Sequence, residues 1–464
     1  MTQRQKTFAL FTLLTALVLE IVDLTIVNTA LPAIKLSLHS NAEQSQWVVA
    51  GYSLSFAILL MAGGRLGDSF GYRRVFLWGV AGFGIASLCC GLAQTADQLV
   101  WARMLQGATG ALMAPQFMAL IQVMFDPIER IGKLAFFGLV GGLASIAGPI
   151  LGGMLVEADI MDLGWRSVFL INLPVSVTAI VCGLIFLPDA RSTRAPGYDL
   201  RGMGLFAAAV GAVLWPLIRA AESGWTYASA GLCLLSAPLA SAGWRHVGKR
   251  ERAGRPALFD PEVFSVQSFR IGVCISVIFS AASAGFLLVF AFSLQTEQGF
   301  SPFVTGMLHM PYGIGAMLGI SVIGRKLLMK YGRWVIFWGA LIMAANAFVV
   351  LTFIGTLKLN WIAYVPFTML AGTGMGMVTG SGNTVTLAQV DRAHAGAASS
   401  LVKTCQQFGS AGGIALIGSA YFSAAESHVL APSLLAATAI AMCLVTTALL
   451  AGRLPSQIFV VRPV

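Results

Sequence analysis

The feature that most constrains this chain is a succession of fourteen apolar runs, the first at residues 8–34 and the last at 430–452. Each is about 18–25 residues long, enough for an α-helix to cross a hydrocarbon core about 30 Å thick. Helices are the expected form because lipid offers backbone N–H and C=O groups no partners. The runs leave only short connectors within the 464 residues, and the longest polar one is 245–270. Only 10% of residues are charged and 57% are hydrophobic, against about 25% charged in a soluble domain. These observations define an all-α integral membrane protein with no room for a soluble catalytic domain. No nucleophile–base set, metal-ligand spacing or phosphate loop is visible, so no enzyme, metal or cofactor is expected.

The formal net charge of +10 does not point to nucleic acid, because the cations sit in short connectors rather than along one stripe. With the N-terminus in the cytoplasm, 24 of the 29 Lys and Arg residues fall in cytoplasmic loops and tails. Lys35, Arg166, Arg219 and Lys358 fall outside, and Arg103 falls inside segment 4. This bias orients the chain with both termini cytoplasmic. The seven cysteines lie in or beside apolar runs and read as small packing residues. No cleavage site follows the first run, which is also too long for a signal peptide.

Segment 1 carries Glu20 and Asp23 within its apolar sequence. Glu20 lies about 18 Å beyond Phe8 along a helix, near mid-membrane. A carboxylate there costs several kcal/mol unless paired, hydrated or protonated. Three residues apart, the two acids share a helical face, and each makes the other harder to ionise. They read as a proton-binding pair. The alternatives are passive polar lining of a wet cavity, or a displaced segment that leaves them near its outer end.

The connectors repeat. GRLGDSFGYRR (64–74) follows segment 2, and GRKLLMKYGRW (324–334) follows segment 10. The plan is two six-helix bundles joined through an extra helix pair. The expected divisions are 1–190 for the N-terminal bundle, 191–245 for the linker with helices 7 and 8, 246–270 for a basic cytoplasmic loop, and 271–464 for the C-terminal bundle and tail. In the first connector Gly64, Gly67 and Gly71 permit close backbone approach. Asp68 can accept from an arginine or a helix N-terminus, and Arg73 and Arg74 hold the loop inside.

WARMLQGATGA in segment 4 sets Arg103 and Gln106 in apolar sequence. A buried arginine needs carboxylate, carbonyl or water partners, and segment 1 offers Glu20 and Asp23. The alternative is an arginine near the outer face that snorkels to headgroups. GGLASIAGPILGG (141–153) in segment 5 combines small residues that let helices touch with a kinking Pro149.

Together these residues resemble the fourteen-helix drug:proton antiporters of the major facilitator superfamily. DLTIVNTALP (23–32) is similar to the family's helix-1 signature, QWVVAGYSL (46–54) to its entry into helix 2, and GRLGDSFGYRR to the superfamily loop motif. WARMLQG matches the helix-4 motif, and GPILGG (Gly148, Pro149, Gly152, Gly153) the antiporter motif of helix 5. WRSVFLINLP (165–174) resembles the lead into helix 6, and GAASSLVKTCQQFGSAGG (396–413) helix 13. Three features depart from the family pattern: Glu20 one turn before the signature acid, Tyr72 in place of a basic residue, and Ala144 in place of a glycine. No acid lies deep in helices 9–14; Glu297 and Glu426 are near outer ends, and His309 is the deep titratable group.

The resemblance implies a proton-coupled antiporter of the bacterial cytoplasmic membrane that exports amphipathic drugs or toxic compounds by alternating access. Proton coupling is expected of Asp23, Glu20, Arg103 and His309, with a hydrogen-bonded packing role the alternative for His309. The substrate cavity is expected to use Asn28, Tyr52, Gln106, Gln295 and Glu297. A cytoplasmic latch is expected of Gly64, Asp68, Gly71, Arg73, Arg74, Asp126 and Arg130. Expected partners are the lipid bilayer, small amphipathic or cationic substrates and protons. No nucleic acid or cofactor is expected, a periplasmic adaptor stays open, and a monomer is expected. The rival readings are an exporter specific for one metabolite, siderophore or antibiotic, a proton-coupled nutrient importer, and a non-transporting receptor or scaffold.

Overall fold

The computed structural model describes residues 1–191, 197, 199–391, 394–427 and 431–455. Among these there are helices, turns and no strand. The first six long helices are α1 (Gln3–Ser37), α2 (Ala42–Phe70), α3 (Tyr72–Leu92), α4 (Ala96–Met124), α5 (Pro127–Ala158) and α6 (Asn172–Phe186). An inserted pair follows, α7 (Leu200–Ser223) and α8 (Tyr227–Arg252). The last six are α9 (Gln267–Thr296), α10 (Pro302–Leu318), α11 (Trp334–Thr356), α12 (Val365–Leu387), α13 (Ala395–Ser427) and α14 (Pro432–Gly452). Helix α10 runs on through a π-helical stretch, Gly319–Gly324, into a further short helix, Arg325–Tyr331.

Among the described residues thirteen helices are long and apolar enough to cross a membrane. Helix α8 forms where segment 8 is expected but falls short by composition. Its upper turns mix Ser, Gly and Pro238 with leucines, and its last turn holds Lys249, Arg250 and Arg252.

Local sequence signals start and stop the helices. Thr2 and Asn41 cap α1 and α2 through reciprocal capping boxes with Gln5 and Gln44, and Thr95 caps α4. The repeated connector turns on its later glycine in both copies. Gly71 ends α2 with φ +99°, and Gly332 ends the short helix after α10 with φ +52°. Each N–H reaches back four residues, Gly71 to Gly67 at 2.9 Å and Gly332 to Leu328 at 2.8 Å. A side chain would be strained at either φ.

The chain divides into two compact units, Met1–Tyr198 with Ser301–Gly306, and Asp199–Phe300 with Met307–Val464. Within the first, α1 packs on α5 and α6, and α3 on α4 and α6. Within the second, α9 packs on α13 and α14, and α11 on α12 and α14. The same pairings recur eight helices later, which is the two-bundle plan expected of the repeated connector. The inserted pair belongs to the second unit, where α7 lies against α13 and the Ser419 hydroxyl donates to Leu217 O at 2.8 Å.

Candidate functional site: a buried ion pair in the first bundle

Close helix packing builds this site. A Cβ on Gly107 of α4 would collide with Tyr52 O of α2, and one on Gly148 of α5 with the Thr25 side chain of α1. Gly152 likewise meets Ile26 O, at 2.6 Å from where its Cβ would be. Backbones this close leave room for short polar side chains to meet between helices. Pro149 and Gly153 face a different neighbour. They meet Gly306 and Pro302 of the 301–306 stretch that clusters with this unit.

Asp23 and Arg103 are both fully buried, and Arg103 Nη1 lies 2.6 Å from Asp23 Oδ2. Asp23 Oδ1 accepts from Gln106 Nε2 at 2.7 Å and from Asn172 Nδ2 at 2.8 Å. Gln106 also donates to Ser87 Oγ at 2.8 Å and accepts from Arg103 Nη1. Arg103 Nε donates to Val48 O at 3.1 Å, and its guanidinium lies over the Tyr52 ring at 4.5 Å and near the Phe169 ring at 5.7 Å. The charge is therefore held by a carboxylate, two oxygens and two aromatic faces. With zero exposure, Arg103 is not snorkelling. Five helices, α1, α2, α3, α4 and α6, meet at this one network.

Its chemistry is one-sided. All three groups that hydrogen-bond Asp23 are donors, which suits a carboxylate. A carboxylate offers about four acceptor sites, and these three donors occupy two on Oδ1 and one on Oδ2. Glu20 is also buried, one turn earlier on α1, but Arg103 forms its ion pair with Asp23. Asn28, Tyr52 and Gln106 are buried in the same unit, with Tyr52 and Gln106 serving Arg103.

Asn172 and Ser87 are the members that sequence reasoning missed. Asn172 had a signal, an amide within the apolar WRSVFLINLP segment. Ser87 had none, being one small residue in an apolar run.

The remaining expected residues lie elsewhere. In the second unit His309 is buried with its ring edge-on to Phe290, centroids 5.1 Å apart. Gln295 is half-buried at the end of α9. Glu297 turns into the packing of its own unit, where Ser433 Oγ donates to Oε2 at 2.9 Å and Lys358 Nζ donates to the Glu297 carbonyl. Burial pushes its carboxyl pKa up, against the hydrogen bonds from Ser433 and Tyr421. The Glu426 side chain lies outside the described residues.

In the connector, Asp68 accepts from the Tyr72 hydroxyl at 2.9 Å, and Arg73 donates to Leu184 O. Arg74 and Asp189 are 3.8 Å apart. Arg130 caps the end of α4, donating to Gln122 O at 2.9 Å and Phe125 O at 3.2 Å, and Asp126 starts α5. Among the described residues no ion pair joins Asp68 or Asp126 to Arg73 or Arg130. Gly64 packs beside Pro115, and Gly67 meets the Gln116 amide.

One cluster was hidden in the sequence by its separation. Donor atoms of Asp260, Glu262 and His394 lie within 4.8 Å of one another, and His394 Nδ1 is 2.6 Å from Asp260 Oδ2. It ties two loops of the second unit together.

The family model described as the Major Facilitator Superfamily matches residues 13–414. The chain belongs to this superfamily. Among similar members is a probable actinorhodin transporter of Streptomyces coelicolor, 35% identical over 91% of this chain and 74% of its own length. Another is the tetracenomycin C resistance and export protein of Streptomyces glaucescens, 34% identical over 85% of this chain and 72% of its own. The fold of this superfamily member is also that of an auto-inhibited POT family peptide transporter crystal structure, with a TM-score of 0.68, 14% identity and 99% coverage of both chains.

Proposed function

We propose that this superfamily member is a proton-coupled antiporter that exports amphipathic drugs or other toxic compounds across the bacterial cytoplasmic membrane. The observation that carries the coupling is the buried Asp23–Arg103 pair, whose carboxylate accepts from α4 and α6, so that a change in its charge alters contacts among three helices. The proton gradient is the energy source and no cofactor is required. The proposed cycle is alternating access, in which protonation at Asp23 biases inward-open against outward-open states. Relatives named for export and for resistance support the outward direction over nutrient import. The charge distribution supports cytoplasmic termini, and a periplasmic adaptor is not needed for the cycle itself.

A second reading, export of one compound class, is favoured by the same two relatives, each named for a single antibiotic.

A susceptibility panel in an efflux-deficient host selects the substrate and separates broad from narrow export. Transport of that substrate is then measured in everted vesicles. Asp23→Asn should abolish export driven by a pH gradient while substrate binding survives and loses most of its pH dependence. Undiminished gradient-driven export by Asp23→Asn would remove this pair from the coupling step. A panel with no protected compound would remove export itself.

A further inference from the structure

Helix α8 does not stop where its apolar run stops. Past Trp244 it continues to Arg252 and carries Arg245, Lys249 and Arg252 at i, i+4 and i+7, on one face. All three are exposed, as are Arg255 just beyond, Arg270 at the foot of α9 and Arg201 at the foot of α7. Among the described residues no carboxylate forms an ion pair with any of the six.

The acids nearby are already committed. Asp199 is buried and accepts from Gly202 N at 2.9 Å, Leu258 N at 3.1 Å and His246 Nε2 at 2.9 Å. Arg250, on a different face of α8, points to it, with Nε 3.8 Å from Oδ1. Asp260 is engaged with His394. Glu251 is half-buried and shares a hydrogen bond with Asp260; burial and the Asp260 and Glu262 carboxyls raise its pKa, and Arg252 beside it acts the other way. Glu262 is exposed, and the six exposed cations outnumber the four acids Asp199, Glu251, Asp260 and Glu262.

The cationic face is also held rigidly. The Trp244 ring packs on Phe259 at 5.7 Å and Phe264 at 5.1 Å, and Phe264 packs on Phe269 of α9 at 5.2 Å. Trp244 itself stays 42% exposed, as an indole does at headgroup level. Arg250 Nε fastens the return of the loop at Pro256 O, 2.7 Å away.

We propose that the Arg245–Lys249–Arg252 face, with Trp244 beside it, is a binding surface for anionic phospholipid headgroups of the adjoining leaflet. Cations directly beyond an apolar helix are attracted by anionic lipid, and a fixed face loses little freedom on binding. The proposal rests on the membrane-spanning fold and not on the export reading.

The test uses the purified full-length protein in nanodiscs containing brominated phosphatidylglycerol or brominated phosphatidylcholine. Quenching of Trp244 fluorescence is assigned by difference from Trp244→Phe. Quenching should favour phosphatidylglycerol and weaken in high salt. At about fivefold per charge, Arg245→Gln, Lys249→Gln and Arg252→Gln together should cut that preference about a hundredfold. Arg245→Lys with Arg252→Lys should keep it. Should the triple variant fail to fold, each single Gln variant carries its own fivefold expectation. Equal quenching by the two lipids, or an unchanged preference in the Gln variants, overturns the proposal. So does complete displacement of phosphatidylglycerol by inorganic phosphate or RNA at equal phosphate concentration, which would assign the face to a soluble polyanion.

Discussion

Asp23 and Arg103 sit 2.6 Å apart with neither side chain exposed, so each is the condition for burying the other. Removing one partner leaves an uncompensated charge, a loss of about 3–5 kcal/mol. Arg103→Ala should therefore lower the thermal unfolding midpoint sharply. Arg103→Ala with Asp23→Asn should recover part of it, because the orphan charge is gone. A double variant no more stable than the single would show that lost packing, and not charge, sets the cost. Glu297 behaves differently. Its carboxyl pKa is raised by burial, so its contribution favours the folded state below the ordinary carboxylate pKa and is lost as pH rises through the folded value. Glu297→Gln should flatten that pH dependence and leave stability at neutral pH equal or higher, as read by unfolding midpoints from pH 4 to pH 8. A steeper dependence in the variant would contradict the sign.

At the scale of elements, Asp199 holds the base of the inserted helix pair. It caps α7 through Gly202 N, receives His246 from α8 and takes Leu258 N from the following loop. Burial works against its ionisation, but these hydrogen bonds prevail and hold its pKa below the usual carboxylate value. Its stabilisation is full above the ordinary pKa and fades as pH falls through the folded one. Asp199→Ala leaves a buried N–H without its acceptor, a loss of about 1–3 kcal/mol. Limited proteolysis should then cut the 253–266 loop faster than in the parent protein, and an unchanged rate would show that the aromatic packing alone holds the loop. The connectors were legible at this scale. Matching GRLGDSFGYRR to GRKLLMKYGRW aligned Gly71 with Gly332, and both end helices with positive φ.

At the scale of the molecule, each unit repeats the other's helix pairings, and the distribution of cations sets the expected topology. In a cysteine-free background, Ala253→Cys should be labelled by an impermeant maleimide only from the cytoplasmic side, and Lys358→Cys only from the outside. Labelling of position 253 in intact cells would reverse the orientation. Among the described residues thirteen of the fourteen expected spans are long and apolar enough to cross, and they were readable because run length is a local property. In lipid each helix satisfies its own backbone whatever its neighbours do.

The sequence by itself determined the helices, their order, the repeat and the presence of buried charges that require partners. It also put Arg103 and Gln106 on one face of α4. Only the tertiary structure decided which partners they meet: Asn172 joins Asp23 from 149 positions away and Ser87 joins through Gln106. It likewise turned Glu297 toward Ser433 within the second unit. The physical reason is that lipid tails are as apolar as leucine. Hydropathy therefore barely distinguishes a helix face turned to lipid from one turned to protein, and the rotation of each helix is set by glycine contacts and hydrogen bonds that exist only once the helices have packed.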